Sequence, residues 1–270
     1  MSPATLTPAG RGLGHRPDQP DHRDRLFDVP TAVPHQFVDL TKTGFLPPIW
    51  DQGQLGSCVP HGVLAAFLYA AAKAGVDDPM LSRLALYYLT RSMEGTVSED
   101  SGCMPRDAIK VCATQGVPPE TDWPYDITTY RTPPGDDWRG DARSNVAVSY
   151  ESVEVSRAGI QACLSAGYPV VIANTLYESF EGEEAQTTGV IPKPGKGEQV
   201  IGGHCQLIVG IGTGAEWKTD GQFPDALDHV NYAKVRNSWG TEWAADGHEL
   251  IGIPNVTRTG SDFWTIRNVT

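Results

Sequence analysis

At 270 residues with 40% hydrophobic content and 21 prolines, the chain can bury a large core, as one domain or as two closely packed halves. Its net charge of -12 argues against nucleic acid as the main partner, since nothing on such a surface would neutralise phosphates. No run approaches a membrane span, and residues 1–30 hold no apolar block that could serve as a secretory signal. No membrane contact is expected, and the default compartment is the cytoplasm, with non-classical export left open.

Residues 1–35 are rich in Pro, Asp, Arg, His and Gly and show almost no apolar periodicity. They read either as a disordered tail or as a short pro-segment lying over a cleft, its later part anchored by Phe27, Val29, Val33 and Phe37. Phe37 to Leu40 alternates like a short strand ahead of the Pro47-Pro48 turn. We place an N-terminal extension at 1–40 and the main domain at 41–270.

Asp51-Gln52-Gly53-Gln54-Leu55-Gly56-Ser57-Cys58 then delivers one cysteine to the start of an apolar run, predicted as a helix from Pro60 to about Ala74. Gly75 suits its left-handed stop. A cysteine there feels the positive end of the helix dipole, which favours thiolate over thiol. By itself it is equally well a buried core thiol. Further helices are predicted over Leu81–Met93, ended by Gly95, and Arg106–Gln115, ended by Gly116. Trp123-Pro124-Tyr125 and Pro133-Pro134-Gly135 fall in an irregular stretch.

From about residue 146 the texture changes. A helix over Ser156–Ala166 precedes short strand candidates at Pro169–Ala173, Gly189–Ile191, Cys205–Val209, Tyr232–Arg236, Glu249–Ile253 and Phe263–Ile266. A helical half (about 47–145) followed by a β half (about 146–270) predicts an α+β protein with a cleft between the two. There is no phosphate-binding glycine loop, and no cofactor is expected.

Cys58, Cys103, Cys112, Cys163 and Cys205 make an odd count with no metal-like spacing, so at least one thiol is unpaired and no metal site is predicted. Most read as buried reduced thiols, with a disulfide involving Cys163 or Cys205 left open. A nucleophilic cysteine needs a base and a group to orient it. His204 follows Gly202-Gly203 and opens an apolar run, 146 residues after Cys58; Asn237 follows the strand Tyr232–Arg236, 179 residues after it.

With these motifs the chain resembles the papain-like (C1-type) cysteine peptidases. The octet ending at Cys58 matches the family's nucleophile loop, Gly203-His204 its histidine motif, and Asn237-Ser238-Trp239-Gly240-x-x-Trp243-x-x-x-Gly247 its asparagine motif. Trp123-Pro124-Tyr125 looks like a landmark between them, and the likeness runs from about Pro47 onward. Papain-type sequences carry His and Asn roughly 130–150 residues downstream of the cysteine; His204 fits and Asn237 lies somewhat beyond, as inserted loops would allow.

The resemblance implies a two-lobed papain-like fold with a barrel-like β half. It implies a cysteine endopeptidase (a hydrolase acting on peptides or proteins) working through a Cys58 thiolate and a His204 imidazolium. Asn237 would aim the imidazole, Trp239 would shield that bond, and Gln52 would donate to the oxyanion. Gly102, Cys103, Gly203 and Trp239 would contact substrate, Gly102 as the groove glycine. His61 and Cys205 read as packing residues.

Some features depart from the family pattern. Val59-Pro60-His61 stands where the family has Trp-Ala-Phe, and Leu55 stands where a disulfide cysteine is common. The long helical pro-domain is missing, and Asp136–Arg143 and Thr213–Asp228 look like surface insertions. The N-terminal segment is expected to occupy the cleft as a zymogen plug. The rival readings are a Cys-His-Asn amidase or transpeptidase on cell-wall peptides, and a catalytically silent binding protein on the same scaffold.

Overall fold

The computed structural model describes residues 4–76, 80–133, 135, 138–142, 147–219, 221–223, 227 and 231–269. Pro134, Asp136, Arg143 and Asp228 of the sequence features above lie outside the described residues.

The chain begins with a small hairpin, β1 (Thr5–Leu6) against β2 (Gly12–Leu13), and β3 (Val38–Asp39) follows. The helical part comprises α1 (Cys58–Lys73), α2 (Arg83–Glu94), α3 (Pro105–Thr114) and the short α4 (Trp138–Ala142). β4 (Ala147–Ser152), α5 (Arg157–Ser165), β5 (Val170–Tyr177), α6 (Glu183–Thr188) and β6 (Val190–Ile191) come next. The chain continues through β7 (Val200–Thr213), α7 (Gly214–Lys218), β8 (Asn231–Arg236), β9 (His248–Gly252), α8 (Ile253–Thr259) and β10 (Gly260–Val269).

Local chemistry accounts for the helix ends. Ser82 and Ser156 cap α2 and α5, each hydroxyl accepting a backbone N–H at 3.0 Å, from Ala85 and Gly159. Pro105 opens α3, and Gly95 closes α2 in the left-handed region. α1 is apolar all round and buried from Cys58 to Ala71, as a helix at the centre of a core must be. It starts two residues earlier than predicted, so Pro60 sits inside its first turn and Cys58 is itself its first residue.

The main sheet has eight strands, in the order β4-β10-β5-β7-β8-β9-β6, with β3 also paired to β7. All pairs are antiparallel except β6–β9. α1 packs across β7, β5 and β10, joining the helical and β parts through one core. The architecture is the expected α+β, but the sheet stays open where a barrel-like half was expected. Among the described residues its end strands β4 and β6 do not pair. β4 is covered instead by the N-terminal segment, where the Phe27 N–H donates to Ser152 O at 2.7 Å.

The stretch 213–228 is more than a surface insertion. Thr213 and Glu216 form a capping box on α7, which buries Trp217 against Phe223, Leu227, Tyr232 and Leu250 in a second small core. All five cysteines are buried and free, which removes the disulfide left open at Cys163 or Cys205. Among the described residues no helix is long and apolar enough to cross a membrane, and no cluster of His, Cys, Asp or Glu is placed to hold a metal ion.

Candidate active site

Three segments distant in sequence meet at the N-terminus of α1. Cys58 opens that helix, β7 carries His204, and the turn after β8 carries Asn237 and Ser238. The Cys58 sulfur lies against the backbone N–H groups of Cys205 and Gly14, which places it beside the residue that follows His204. His204 is fully buried, and its Nε2 bonds Asn237 Oδ1 at 2.8 Å. Asn237 Oδ1 also accepts the Ser238 N–H at 2.7 Å. Because Oδ1 can only accept, Nε2 carries the proton, and Nδ1 keeps its lone pair. Nδ1 is buried with no hydrogen-bond partner among the described residues. Trp239 stacks on the imidazole with centroids 4.7 Å apart and is itself braced by Trp243 and Phe180.

Gln52 is fully buried, and its amide orientation is set from behind, where the Ser238 hydroxyl donates to Oε1 at 2.5 Å. Nε2 therefore faces the cleft, donating to Gly12 O at 2.9 Å and Leu55 O at 2.8 Å. Tyr125, from the Trp-Pro-Tyr landmark, ties down the nucleophile loop. Its hydroxyl bonds Ser57 Oγ at 2.6 Å and Gln52 O at 3.0 Å. His61 packs edge-on against Tyr125 and Trp50, in keeping with its expected packing role.

Residues 4–18 form a strap across this constellation. The Gly12 N–H donates to Gly53 O at 3.0 Å, the His15 N–H to Gly203 O at 3.2 Å, and the Arg16 N–H to Cys103 O at 3.1 Å. The Cys103 N–H returns a bond to Gly14 O at 2.9 Å, so His15 and Cys103 pair in parallel. Cys103 thus makes the backbone pairing with the strap, beside the groove-glycine candidate Gly102. Gly102, at φ +65°, serves close approach instead, since a Cβ there would lie 2.0 Å from Gly14 O. Gly203 contributes its carbonyl and leaves room for the His15 ring.

Side chains pin the strap at three places. Arg11 bonds Glu181 at 2.9 Å and lies over the Trp239 and Trp243 rings. His15 Nε2 meets Asp262 at 2.8 Å, and Arg16 meets the buried Glu94 at 2.6 Å.

The strap changes the electrostatics. Burial pushes the Cys58 thiol up to about 11, against the N–H groups of Cys205, Gly14 and Val59 that favour thiolate. Burial likewise pulls His204 down to about 4, against the Asn237 bond. In this covered form burial therefore works against both charged members of the thiolate–imidazolium pair expected from sequence.

Three site-supporting residues escaped the sequence reading. Asp100 accepts the Gly56 N–H at 3.1 Å and the Tyr87 hydroxyl. Behind Asn237, the fully buried Glu249 accepts from Trp243 Nε1 at 2.6 Å, from Asn237 Nδ2 at 3.3 and 3.4 Å, and from Gln206 Nε2. Gln206 in turn accepts from Asn174 at 3.0 Å. An acid in the otherwise apolar run Glu249–Ile253 was the available signal.

The sequence matches the model of the papain family cysteine proteases over residues 33–268. It is 30% identical over 288 aligned positions to an uncharacterized peptidase C1-like protein of Acanthamoeba polyphaga mimivirus, covering 96% of this chain and 88% of the relative. The solved structure of xylellain, a cysteine protease from Xylella fastidiosa, superposes with a TM-score of 0.82 at 30% identity, covering 100% of this chain and 99% of that one. A procathepsin B from Trypanosoma congolense shares the fold, with a TM-score of 0.72 at 17% identity over 96% and 86% of the two chains. The chain belongs to the papain family of cysteine proteases. It has the papain-like α+β fold of a hydrolase that acts on peptides.

Proposed function

We propose that this protein is a cysteine endopeptidase held inactive by its own residues 4–18, with Cys58 as nucleophile, His204 as acid–base, Asn237 as orienting group and Gln52 as oxyanion donor. The observation that carries the reading is the pair of contacts made by two amides. Asn237 Oδ1 fixes the proton on His204 Nε2, and Gln52 Nε2 already donates to a peptide carbonyl, that of Gly12.

Once the strap leaves, water and substrate replace Gly12–Arg16, and the thiol and imidazole can separate charge. Cys58 Sγ forms a bond to the scissile carbonyl carbon while its proton passes to His204 Nδ1. The carbonyl oxygen takes the negative charge beside Gln52 Nε2 and the Cys58 N–H; such a donor is typically worth on the order of 10²–10³ in rate. The C–N bond breaks as Nδ1 protonates the leaving amine. Water, deprotonated by the same nitrogen, then hydrolyses the thioester. Cys103 and Gly203 offer the substrate backbone the bonds that the strap now uses. We assign the strap to the extension 1–40 and the catalytic unit to 41–270.

Gly14→Val in the full-length chain tests both parts, since even a Cβ at this position would meet Gly56 O at 1.8 Å. Peptide turnover and single labelling by an epoxide thiol trap should rise over wild type and vanish with Cys58→Ala or His204→Ala. Unchanged turnover would remove the autoinhibition, and labelling that survives Cys58→Ala would remove the assigned nucleophile.

A further inference from the structure

Asn237 can orient His204 only if its own amide cannot turn over. Amide oxygen and nitrogen differ little in shape, so the side chain is held by what surrounds it. On one side the Ser238 N–H points at Oδ1 at 2.7 Å. On the other, Glu249 presents two carboxyl oxygens to Nδ2 at 3.3 and 3.4 Å. A flipped amide would set Oδ1 against the carboxyl and Nδ2 against an N–H, losing contacts on both sides. It would also offer His204 Nε2 a donor in place of an acceptor. The imidazole would then carry its proton on Nδ1, and the lone pair that Nδ1 needs to act as the base would be lost.

We propose that Glu249 is a positioning residue for the peptidase reaction, locking the Asn237 amide and through it the His204 tautomer. The network around the carboxyl fits this use. Its contacts with Trp243, Gln206 and Asn237 are all N–H donations, and both oxygens are engaged. β9 supplies the residue in register with Val235 of β8, directly behind the turn that carries Asn237. The Asn237 N–H is anchored to Gly247 O at 2.9 Å, so the backbones on either side of the bond are tied together. The neighbouring cations are engaged elsewhere: Lys234 meets Asp39 at 3.3 Å, and Arg236 bonds the carbonyls of Pro47 and Pro48. Among the described residues no cation is bonded to the Glu249 carboxyl, and a buried acid without one is costly. Its placement against the amide of the orienting residue gives that cost a purpose.

The inference rests on the peptidase reading, and the test separates the two. Glu249→Gln keeps the shape but turns an NH2 toward the donors. In the full-length chain, long-range proton–nitrogen correlation should show His204 leaving the pure Nε2–H tautomer that wild type holds. With the strap displaced by Gly14→Val, kcat should fall roughly tenfold or more, within the 10²–10⁴ that an acid–base group contributes in all. KM should stay within about twofold, since the substrate is not touched. In an Asn237→Ala background the same substitution should cost almost nothing further, because its effect runs through Asn237. An unmoved tautomer, or an equal loss in both backgrounds, overturns the inference. If Glu249→Gln fails to fold, Gln206→Met withdraws one donor from the carboxyl and must shift the same His204 signal; an unmoved signal again overturns it. Absence of turnover from the Gly14→Val parent removes the peptidase reading and this inference with it. Turnover indifferent to Glu249→Gln removes the inference alone.

Discussion

The Ser238 hydroxyl donates to Gln52 Oε1 at 2.5 Å, joining two amides that are 185 positions apart: Gln52 itself and Asn237, the chain neighbour of Ser238. The Gln52 N–H reinforces the link by donating to Ser238 O at 2.9 Å. The group proposed to hold the oxyanion and the group proposed to aim the imidazole are thus parts of one rigid junction between the helical and β parts.

This junction predicts graded losses. Gln52→Ala, in the Gly14→Val background, should lower kcat by about 10²–10³. Ser238→Ala should cost less, because Nε2 keeps its Leu55 bond while losing only the constraint from behind. Steady-state kinetics on a peptide substrate decides the order; equal losses would mean that Ser238 acts by another route.

The strap should loosen from its far end as well as its centre. Glu181 receives Arg11 at 2.9 Å, Thr7 Oγ1 at 2.7 Å and the Ala9 N–H at 3.3 Å. Glu181→Ala removes the buried carboxylate that holds the half-buried Arg11, Thr7 and the Ala9 N–H, and should raise the basal activity of the full chain several-fold. The comparison is with Arg23→Ala, an exposed residue beyond the strap that pairs with Asp21. That variant should change nothing.

Glu249 also gives stability a pH slope. Burial raises its carboxyl from the usual 4.5 to about 8 in the folded protein. Below about 4.5 both states are protonated, and the group costs nothing. Between about 4.5 and 8 desolvation, opposed by the N–H groups of Trp243, Asn237 and Gln206 that favour the carboxylate, leaves the folded chain binding more proton at this site than the unfolded one. Stability therefore falls as pH rises through this window. Glu249→Gln removes the slope, so its melting temperature relative to wild type should climb from pH 5 to pH 8. Parallel curves would show that the carboxyl ionises normally in the fold.

The second small core should be worth more than a surface insertion. Trp217 is fully buried, its ring edge-on to Phe37 at 4.8 Å and to Phe223 at 6.3 Å. Trp217→Ala should destabilise the fold by about 3–5 kcal/mol. Denaturant unfolding measures it; a loss below about 1 kcal/mol would mean that the cluster carries little of the fold.

The parts legible in advance were those with local causes. α2, α3 and α5 were readable because a capping serine or opening proline and a closing glycine flank each apolar face. Cys58, His204 and Asn237 were readable because a cysteine at a helix start and two polar residues at strand ends carry recognisable motifs. Other features depended on partners far away in the chain. Thr213–Asp228 read as a loop because Trp217 meets its core partners only after β7 and β8 have paired.

By itself, the sequence determined the order of helices and strands, the candidates proposed here as reactive groups and the membership of one family, since these follow from periodicity, capping and motif. Tertiary structure alone decided that residues 4–18 lie across Gln52, Cys103 and Gly203, that Cys103 makes the backbone pairing, and that burial opposes charge on Cys58 and His204 beneath the strap. It alone set Glu249 behind Asn237. Each of these depends on which surfaces exclude water from one another, and desolvation is a property of the packed chain that no local run of residues carries.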